Sequence, residues 1–260
     1  MTFKQALINI QNKYNYDNEM MEVISNAFLA LTRYYKRYGN YSNKIYKALM
    51  ETRIITYSLG KYGRITEEKE RLMEIYSDKE EEGIRNNIIA EDGELLYKII
   101  GNKVVKTIII KKENGKISLE TLIHELIHAI VTSDEVIDDT YFLSGITIEH
   151  IKPIWYTYYN NVEEGLAEYD TVMSCHEIGY DIKPTESYKE NYDYIKPLMD
   201  NKDINMEITK SRLNGIKVND INLNQDIINY ITNYDSICTN SNKRELIISN
   251  REKILRYLYK

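Results

Sequence analysis

"TLIHELIHAI", residues 121–130, is the stretch that decides the fold. It contains two of the chain's four histidines, His124 and His128, with Glu125 between them. The surrounding residues are aliphatic nearly all round a helical projection, which is typical of a buried helix. Such a helix tolerates three titratable side chains only if they have partners, because each unpaired polar group costs about 1–3 kcal/mol. The stretch therefore predicts either hydrogen-bonded core residues or a shared ligand.

The spacing favours a shared metal ion. Residues four apart lie on one face of a helix, so the imidazoles of His124 and His128 can meet at one ion. Glu125 lies one residue round from His124, outside the ligand set but beside an open coordination position. A general base that takes a proton from water should stand there. HExxH is known for this arrangement, and we predict one Zn²⁺ per chain.

A catalytic zinc usually has three protein ligands, so a third must lie elsewhere in the chain. Asp134 follows His124 by ten residues, a spacing that serves only if a glycine lets the chain turn out of the helix. The position that needs this glycine is Val131, a β-branched residue that disfavours positive φ. The segment around Asp134 reads more simply as a solvated helix end.

The stretch "NVEEGLAEYDT", residues 161–171, offers a better ligand. Glu164 and Glu168 share a helix face, so Glu168 can accept the second N–H of a ligand histidine when Glu164 binds the metal. If Glu163 were the ligand, Ala167 would occupy that supporting position. The register therefore favours Glu164. The alternative is a solvated acidic helix start, since carboxylates are favoured at helix N-termini.

These motifs resemble the gluzincins, zinc peptidases whose third ligand is a glutamate on a separate helix. The resemblance covers residues 118–176, and Glu163 stands where many members have asparagine. "HELIH" followed by the glutamate pair is similar to the clostridial neurotoxin light chains. "EEGLAEY" after "WYTYYNN" is similar to the lethal-factor and Pro-Pro-endopeptidase groups. The resemblance implies a zincin-like catalytic core with His124, His128 and Glu164 as ligands.

The same resemblance implies a residue that stabilises the oxyanion. In the lethal-factor and Pro-Pro-endopeptidase groups a tyrosine shortly before the glutamate ligand does this, but Thr157 occupies that position here. Tyr158 is the candidate and Tyr156 the alternative. A neurotoxin-type Arg-x-x-Tyr pair could be Arg256 and Tyr259, although about one such match is expected by chance.

The two other histidines and the central cysteine have simpler interpretations. A structural role is expected for His150 and for His176, which lies near a helix C-terminus where a protonated imidazole suits the dipole. Cys175 is expected to be a small buried hydrophobic residue, since nothing nearby indicates an activated thiolate.

Apolar periodicity predicts an α+β fold that is mostly helical. A small antiparallel or mixed sheet is expected before the histidine stretch, as a hairpin of two or three strands turning at Gly101-Asn102. We expect an N-terminal helical region over 1–88, with helices over 3–14, 18–38, 42–59 and 66–78. A metallopeptidase domain should follow over 89–260. Its parts are the sheet and histidine helix (89–135), the glutamate helix (162–178) and the C-terminal helices (185–260).

Composition limits the partners. With 260 residues, 43% hydrophobic residues and a net charge of −6, the chain is expected to be globular and not a general binder of nucleic acid. No apolar run in the sequence reaches the roughly 18–20 residues of a membrane span. Two cysteines and no apolar leader favour the cytoplasm. An exported or host-delivered chain that had lost its leader would read the same way.

Together these features predict a zinc-dependent endopeptidase acting on a polypeptide. A G-x-M-E-N stretch, which would hold a substrate amino terminus in an aminopeptidase, is missing from the sequence. One alternative is a non-hydrolytic zinc-binding sensor or regulatory protein that uses the same site. Another is a helical interaction protein with an accidental motif. The presence of Glu125 favours the enzyme, because a structural zinc has no use for a base beside an open position.

Overall fold

The computed structural model describes residues 2–59, 92–151 and 156–259. Within these ranges the chain forms two three-stranded sheets and a larger number of helices, so the predicted α+β class and helical majority are confirmed. The helices are α1 Phe3–Tyr14, α2 Asn18–Tyr35, α3 Ser42–Glu51, α4 Leu119–Val131, α5 Asn160–His176, α6 Lys189–Met199, α7 Lys202–Asn214, α8 Gln225–Cys238 and α9 Lys243–Leu258. We call α4 the histidine helix and α5 the glutamate helix.

The first two helices begin and end at residues suited to helix ends. Thr2 and Asp17 accept hydrogen bonds from the backbone N–H groups of Gln5 and Met20, and so satisfy donors that a helix start leaves unpaired. Asn15 adopts a left-handed conformation after α1. Helix α2 ends at Tyr35 and continues as a 3-10 turn, so the predicted end at residue 38 was close.

The predicted helix over 42–59 was wrong in its second half. Helix α3 ends at Glu51, and the strand β1, Arg53–Tyr57, follows directly. Its three consecutive β-branched residues, Ile54, Ile55 and Thr56, pack well on a pleated sheet and lose rotamer freedom in a helix. The predicted helix over 66–78 lies outside the described residues.

The first sheet is mixed and has the strand order β1-β3-β2. Strands β2, Gly93–Ile100, and β3, Lys103–Lys111, form the predicted hairpin, and β1 adds to β3 in parallel. Gly101 supplies the positive φ of 62° that the tight turn between them needs. Strand β2 therefore lies at one end of the sheet's strand order, next to the histidine helix.

The second sheet was not predicted. It is an antiparallel arrangement of β4 Tyr141–Ser144, β5 Thr147–His150 and β6 Tyr156–Tyr158. Gly145 turns the chain between β4 and β5 with φ of 65°, and a Cβ there would lie 2.1 Å from a carboxylate oxygen of Glu163. The turn therefore packs directly on the start of the glutamate helix, and only glycine fits.

Two buried clusters hold these elements together. The first joins α1, α2 and α3 to the inner face of the first sheet and to the histidine helix. The second joins the glutamate helix to the four C-terminal helices, which match the helical stretches predicted after Pro184. The predicted domain boundary between residues 88 and 89 falls outside the described ranges. None of the described helices combines the length and apolar character needed to cross a membrane.

Candidate metal centre

The histidine helix is buried on all sides and fixed at both ends. Ser118 caps its start by accepting a hydrogen bond from the Thr121 backbone N–H. At the other end the Lys106 ammonium of β3 donates to the backbone carbonyls of Ala129 and Thr132 at 3.0 and 2.9 Å. A cation at this end also suits the helix dipole. The helix is therefore a rigid support for the side chains that it carries.

Three side chains from two helices converge at one point. The Nε2 atom of His124 lies 3.2 Å from Nε2 of His128 and 3.1 Å from Oε2 of Glu164. Nε2 of His128 lies 3.4 Å from the same glutamate oxygen. Ligand atoms on a tetrahedral ion with bonds of roughly 2.0–2.1 Å lie about 3.3–3.4 Å apart. The three atoms thus already have the spacing of three corners of a metal's coordination tetrahedron, and together they could hold one ion.

The chemistry of these atoms also fits a cation. Nδ1 of His124 lies 3.1 Å from a carboxylate oxygen of Glu168, which can only accept a hydrogen bond. That contact places the hydrogen of a neutral imidazole on Nδ1 and leaves a lone pair on Nε2. This lone pair then faces the carboxylate of Glu164 and Nε2 of His128. Buried acceptors that face one another need a positive charge between them, which a metal ion supplies.

The electrostatics of the cluster favour cationic partners. Burial lowers the pKa of His124, but hydrogen bonds to Glu164 and Glu168 outweigh it and raise the pKa to about 10. Burial likewise raises the pKa of Glu164, but the two imidazoles outweigh it and hold the pKa of this carboxyl well below its usual range. Glu164 is therefore a carboxylate at neutral pH, the form in which it can bind a metal.

Glu168 supports His124 from behind. Its Oε1 atom accepts hydrogen bonds from the backbone N–H and the hydroxyl of Thr185, at 2.6 and 2.8 Å, while Oε2 faces the imidazole. Burial raises the pKa of Glu168, but His124 and Thr185 together lower it. The carboxylate is thus held in one orientation and fixes the tautomer of His124. The structure places Glu168 in the position that the helical spacing predicted.

Tyr188 covers the other side of His124. Its ring stacks on the imidazole with centroids 4.7 Å apart and planes 12° apart. The sequence analysis missed both Thr185 and Tyr188. They follow the glutamate helix by a loop, and no spacing rule connects a loop residue to a histidine about sixty positions earlier.

Glu125 lies in a groove beside the cluster. This groove, which we call the cleft, is bordered by Gly93, Tyr97, Glu125, Ser144, Thr147 and Glu164. A Cβ at position 93 would lie 2.5 Å from Thr121 and 3.1 Å from Cγ of Glu125, so glycine lets β2 approach the histidine helix closely. Glu125 is only 5% exposed. Its carboxylate therefore stands between the end strand of the first sheet and the metal ligands.

Glu163, the alternative ligand, faces a different partner. Its carboxylate accepts hydrogen bonds from the guanidinium of Arg212 and from the Ile146 backbone N–H, the latter at 2.9 Å. The same guanidinium binds Asp170 at 2.6 Å, and the hydroxyls of Tyr34 and Tyr35 donate to that aspartate. Arg212 is fully buried. The structure thus brings Glu164, and not Glu163, to the histidines.

The expected role of the small residues of the glutamate helix needs a correction. They were expected to let this helix pack closely on the histidine helix. A Cβ at Gly165 would instead lie 2.5 Å from the Asn191 carbonyl oxygen, so this glycine admits α6. Ala167 is fully buried in the cluster that contains the histidine helix and serves the expected purpose.

Asp134 is committed elsewhere. Its carboxylate oxygens bind Lys47 at 2.7 Å and Lys106 at 3.0 Å, beyond the C-terminal end of the histidine helix. The position is partly exposed, as the solvated helix end predicted, but the helix itself has already ended at Val131.

The tyrosines considered for the oxyanion do not meet the cluster. Tyr158 is 50% exposed and packs beside His150 and Tyr159, and it is not among the residues that line the cleft. Tyr156 pairs with His150 through its backbone, and its side chain lies outside the described part of the structure. Among the residues described, the tyrosines at the cleft are Tyr97 and Tyr188.

The remaining candidates lie away from the ligands. Arg256 is mostly exposed and pairs with Glu252, and Tyr259 is 78% exposed near the end of the chain. His176 is exposed near Asp181. Cys175 is buried, and burial raises the pKa of its thiol to about 12, consistent with the inert residue expected.

Comparison with known proteins adds no name to this site. No family model matches the chain, and neither the curated proteins nor the solved structures include a match to it. The function must therefore be argued from the residues themselves.

Proposed function

We propose that this chain is a zinc-dependent metalloendopeptidase of the gluzincin type. The observation that carries the proposal is the set of three lone-pair atoms, from His124, His128 and Glu164, at tetrahedral spacing with Glu125 beside them. Two imidazoles and a carboxylate are a ligand set that zinc enzymes use for hydrolysis. A zinc ion held there would lower the pKa of water and polarise a carbonyl group.

The chain's own residues would then divide the remaining work. The Glu125 carboxylate takes a proton from the attacking water and returns it to the leaving amine. Glu168 holds the imidazole of His124 in one tautomer, and Tyr188 limits the movement of the same ring. Burial of Glu125 between β2 and the histidine helix limits the solvent that competes for its proton.

The position of β2 supports a polypeptide as the substrate. This strand ends the order of the first sheet, and its first residues border the cleft beside Glu125. An extended peptide that paired with β2 would pass directly over the ligands. An internal segment of a chain can bind in this way, which favours an endopeptidase. The position of Tyr158 gives no support to its assignment as the oxyanion residue.

The proposal is tested with Glu125→Gln. The substitution is nearly isosteric and leaves both imidazoles in place, so zinc should still bind at one ion per chain. Hydrolysis should fall by about 10²–10⁴-fold, because general acid–base catalysis contributes that much. Zinc content would be measured by elemental analysis, and cleavage with a mixed peptide library analysed by mass spectrometry.

The control is Glu135→Gln, which removes the same charge from an exposed residue beyond the histidine helix. It should retain wild-type cleavage. Chelation should abolish cleavage but largely preserve the helical circular dichroism, because both apolar clusters form without the metal. If zinc-loaded wild type cut no peptide in a Glu125-dependent way, the non-hydrolytic zinc sensor would replace the enzyme.

A further inference from the structure

The wall of the cleft opposite β2 is the inner face of β5. Thr147 and Glu149 are two residues apart on this strand, so they point to the same side, while Ile148 and His150 point to the other. Thr147 and Glu149 are only 2% and 7% exposed, and both line the cleft. This polar face is a built part of the cleft and not a stretch of solvated surface.

Thr147 gives the first indication of a ligand. Its hydroxyl oxygen is buried and has no hydrogen-bond partner within the described part of the chain. Buried hydroxyls are nearly always hydrogen-bonded, because burial without a partner is unfavourable. Since Thr147 borders the cleft, a polar group that enters the cleft can supply the missing hydrogen bond.

The charge of the cleft indicates which polar group this would be. Apart from His128, every charged side chain lining the cleft among the described residues is a carboxylate: Glu94, Glu125, Glu149, Glu163 and Glu164. Glu125 and Glu164 belong to the metal centre, and Glu163 is held by Arg212. Glu149 stands beside Thr147 and accepts a hydrogen bond of 2.8 Å from the Thr157 hydroxyl. This surface repels anions and favours a cationic group that donates hydrogen bonds.

We infer that Thr147 and Glu149 form a substrate subsite for a basic side chain, that of lysine or arginine, close to the bond that is cut. Glu149 supplies the opposite charge, and Thr147 accepts a hydrogen bond from the ammonium or guanidinium group. The inference rests on the proposed peptidase function and names the substrates of the same site. Neither residue touches the metal ligands, so both are specificity residues.

The test compares peptides that differ at one position. Internally quenched peptides carry lysine, arginine, norleucine or glutamate next to the scissile bond, and kcat/KM is measured for each. Wild type should prefer lysine or arginine over norleucine and should reject glutamate. Glu149→Gln should lower the ratio of lysine to norleucine by roughly 10- to 150-fold, the range for a hydrogen bond to a charged group. Thr147→Val, which keeps the shape and removes the hydroxyl, should lower it less.

A binding measurement separates this inference from the peptidase proposal. The probe is n-butylguanidinium, which carries the charge of an arginine side chain, and its binding to the zinc-loaded protein is followed by calorimetry. Glu149→Gln should weaken binding relative to wild type, and the exposed-residue control Glu245→Gln should not. Failure of all peptides to be cut would overturn the peptidase, while probe binding that depends on Glu149 would still identify the cation subsite.

Two results would overturn the subsite itself. One is cleavage by wild type with no preference for lysine or arginine over norleucine. The other is probe binding that is the same in wild type, Glu149→Gln and Thr147→Val. Circular dichroism of the variants shows whether they are folded, and Thr147→Val provides the answer if Glu149→Gln is not.

Discussion

Glu163 and Glu164 are neighbours on one helix, yet their carboxylates belong to two different buried clusters. Glu163 faces Arg212, which also binds Asp170, so a covalently attached cation neutralises the first cluster. Glu164 faces His124 and His128, whose charge depends on protonation. The first cluster therefore carries its positive charge permanently, and the second obtains it from solution, as protons or as a metal ion.

This difference separates a structural cluster from a functional one. A permanent buried ion pair ties α5 to α7 and α2, and removal of one partner leaves a buried charge without compensation. An exchangeable cation instead permits ligand binding and chemistry at the same depth in the protein. Substitutions in the Arg212 cluster should thus change stability, whereas those in the histidine cluster should change metal binding.

The largest effect is expected for Arg212→Met. The change leaves the carboxylates of Glu163 and Asp170 buried without their cation, so the free energy of unfolding should fall by about 3–5 kcal/mol. Urea denaturation followed by circular dichroism measures it. Arg256→Met makes the same substitution at an exposed ion pair and should change stability by less than about 1 kcal/mol. Equal losses in both variants would contradict the structural role of the Arg212 cluster.

A sharper comparison uses the two neighbouring glutamates. Glu164→Gln should lower zinc affinity by more than about 100-fold, beyond the range for residues that only support a ligand. Glu163→Gln should leave zinc affinity near wild type and lower the free energy of unfolding instead. Competition with a chromophoric chelator measures the affinities. Comparable zinc losses in the two variants would show that the glutamate helix presents a different face to the histidines.

The smallest effect is expected behind His124. Glu168→Gln should weaken zinc binding by about 10–100-fold, because the amide is a weaker partner for the Nδ1 hydrogen. Thr185→Val removes one of the two hydrogen bonds that orient Glu168 and should have a smaller effect in the same direction. The same chelator competition applies, with the exposed Thr140→Val as control. A Glu168→Gln protein with wild-type affinity would remove this residue from the metal centre.

The parts of the structure that were predicted from the sequence depend on local spacing. The histidine helix, its Ser118 cap and the β2–β3 hairpin follow from helical periodicity, capping chemistry and a glycine turn. The choice of Glu164 over Glu163 followed from the same reasoning, because Glu168 must share a face with the ligand. Within one helix, spacing determines direction, so sequence is sufficient.

The parts that were missed depend on contacts between distant residues. Residues 53–57 join α3 in sequence but pair with β3, about fifty positions later, and only that pairing makes them a strand. The strands of the second sheet have three or four residues each, too short for a periodic signal. Arg212 reaches Glu163 across 49 positions. Such partners are chosen by tertiary packing, which leaves no local pattern.

The stacking of Tyr188 on His124 has a consequence for spectroscopy. A proton above the face of an aromatic ring is shielded by its ring current, and the two ring centroids here are 4.7 Å apart. The carbon-bound protons of the His124 imidazole should therefore resonate upfield of those of His128, on the same helix. One NMR spectrum can thus distinguish the two histidines, and Tyr188→Leu should bring their resonances closer together. The tyrosine gives His124 a signature that is visible in solution without any added label.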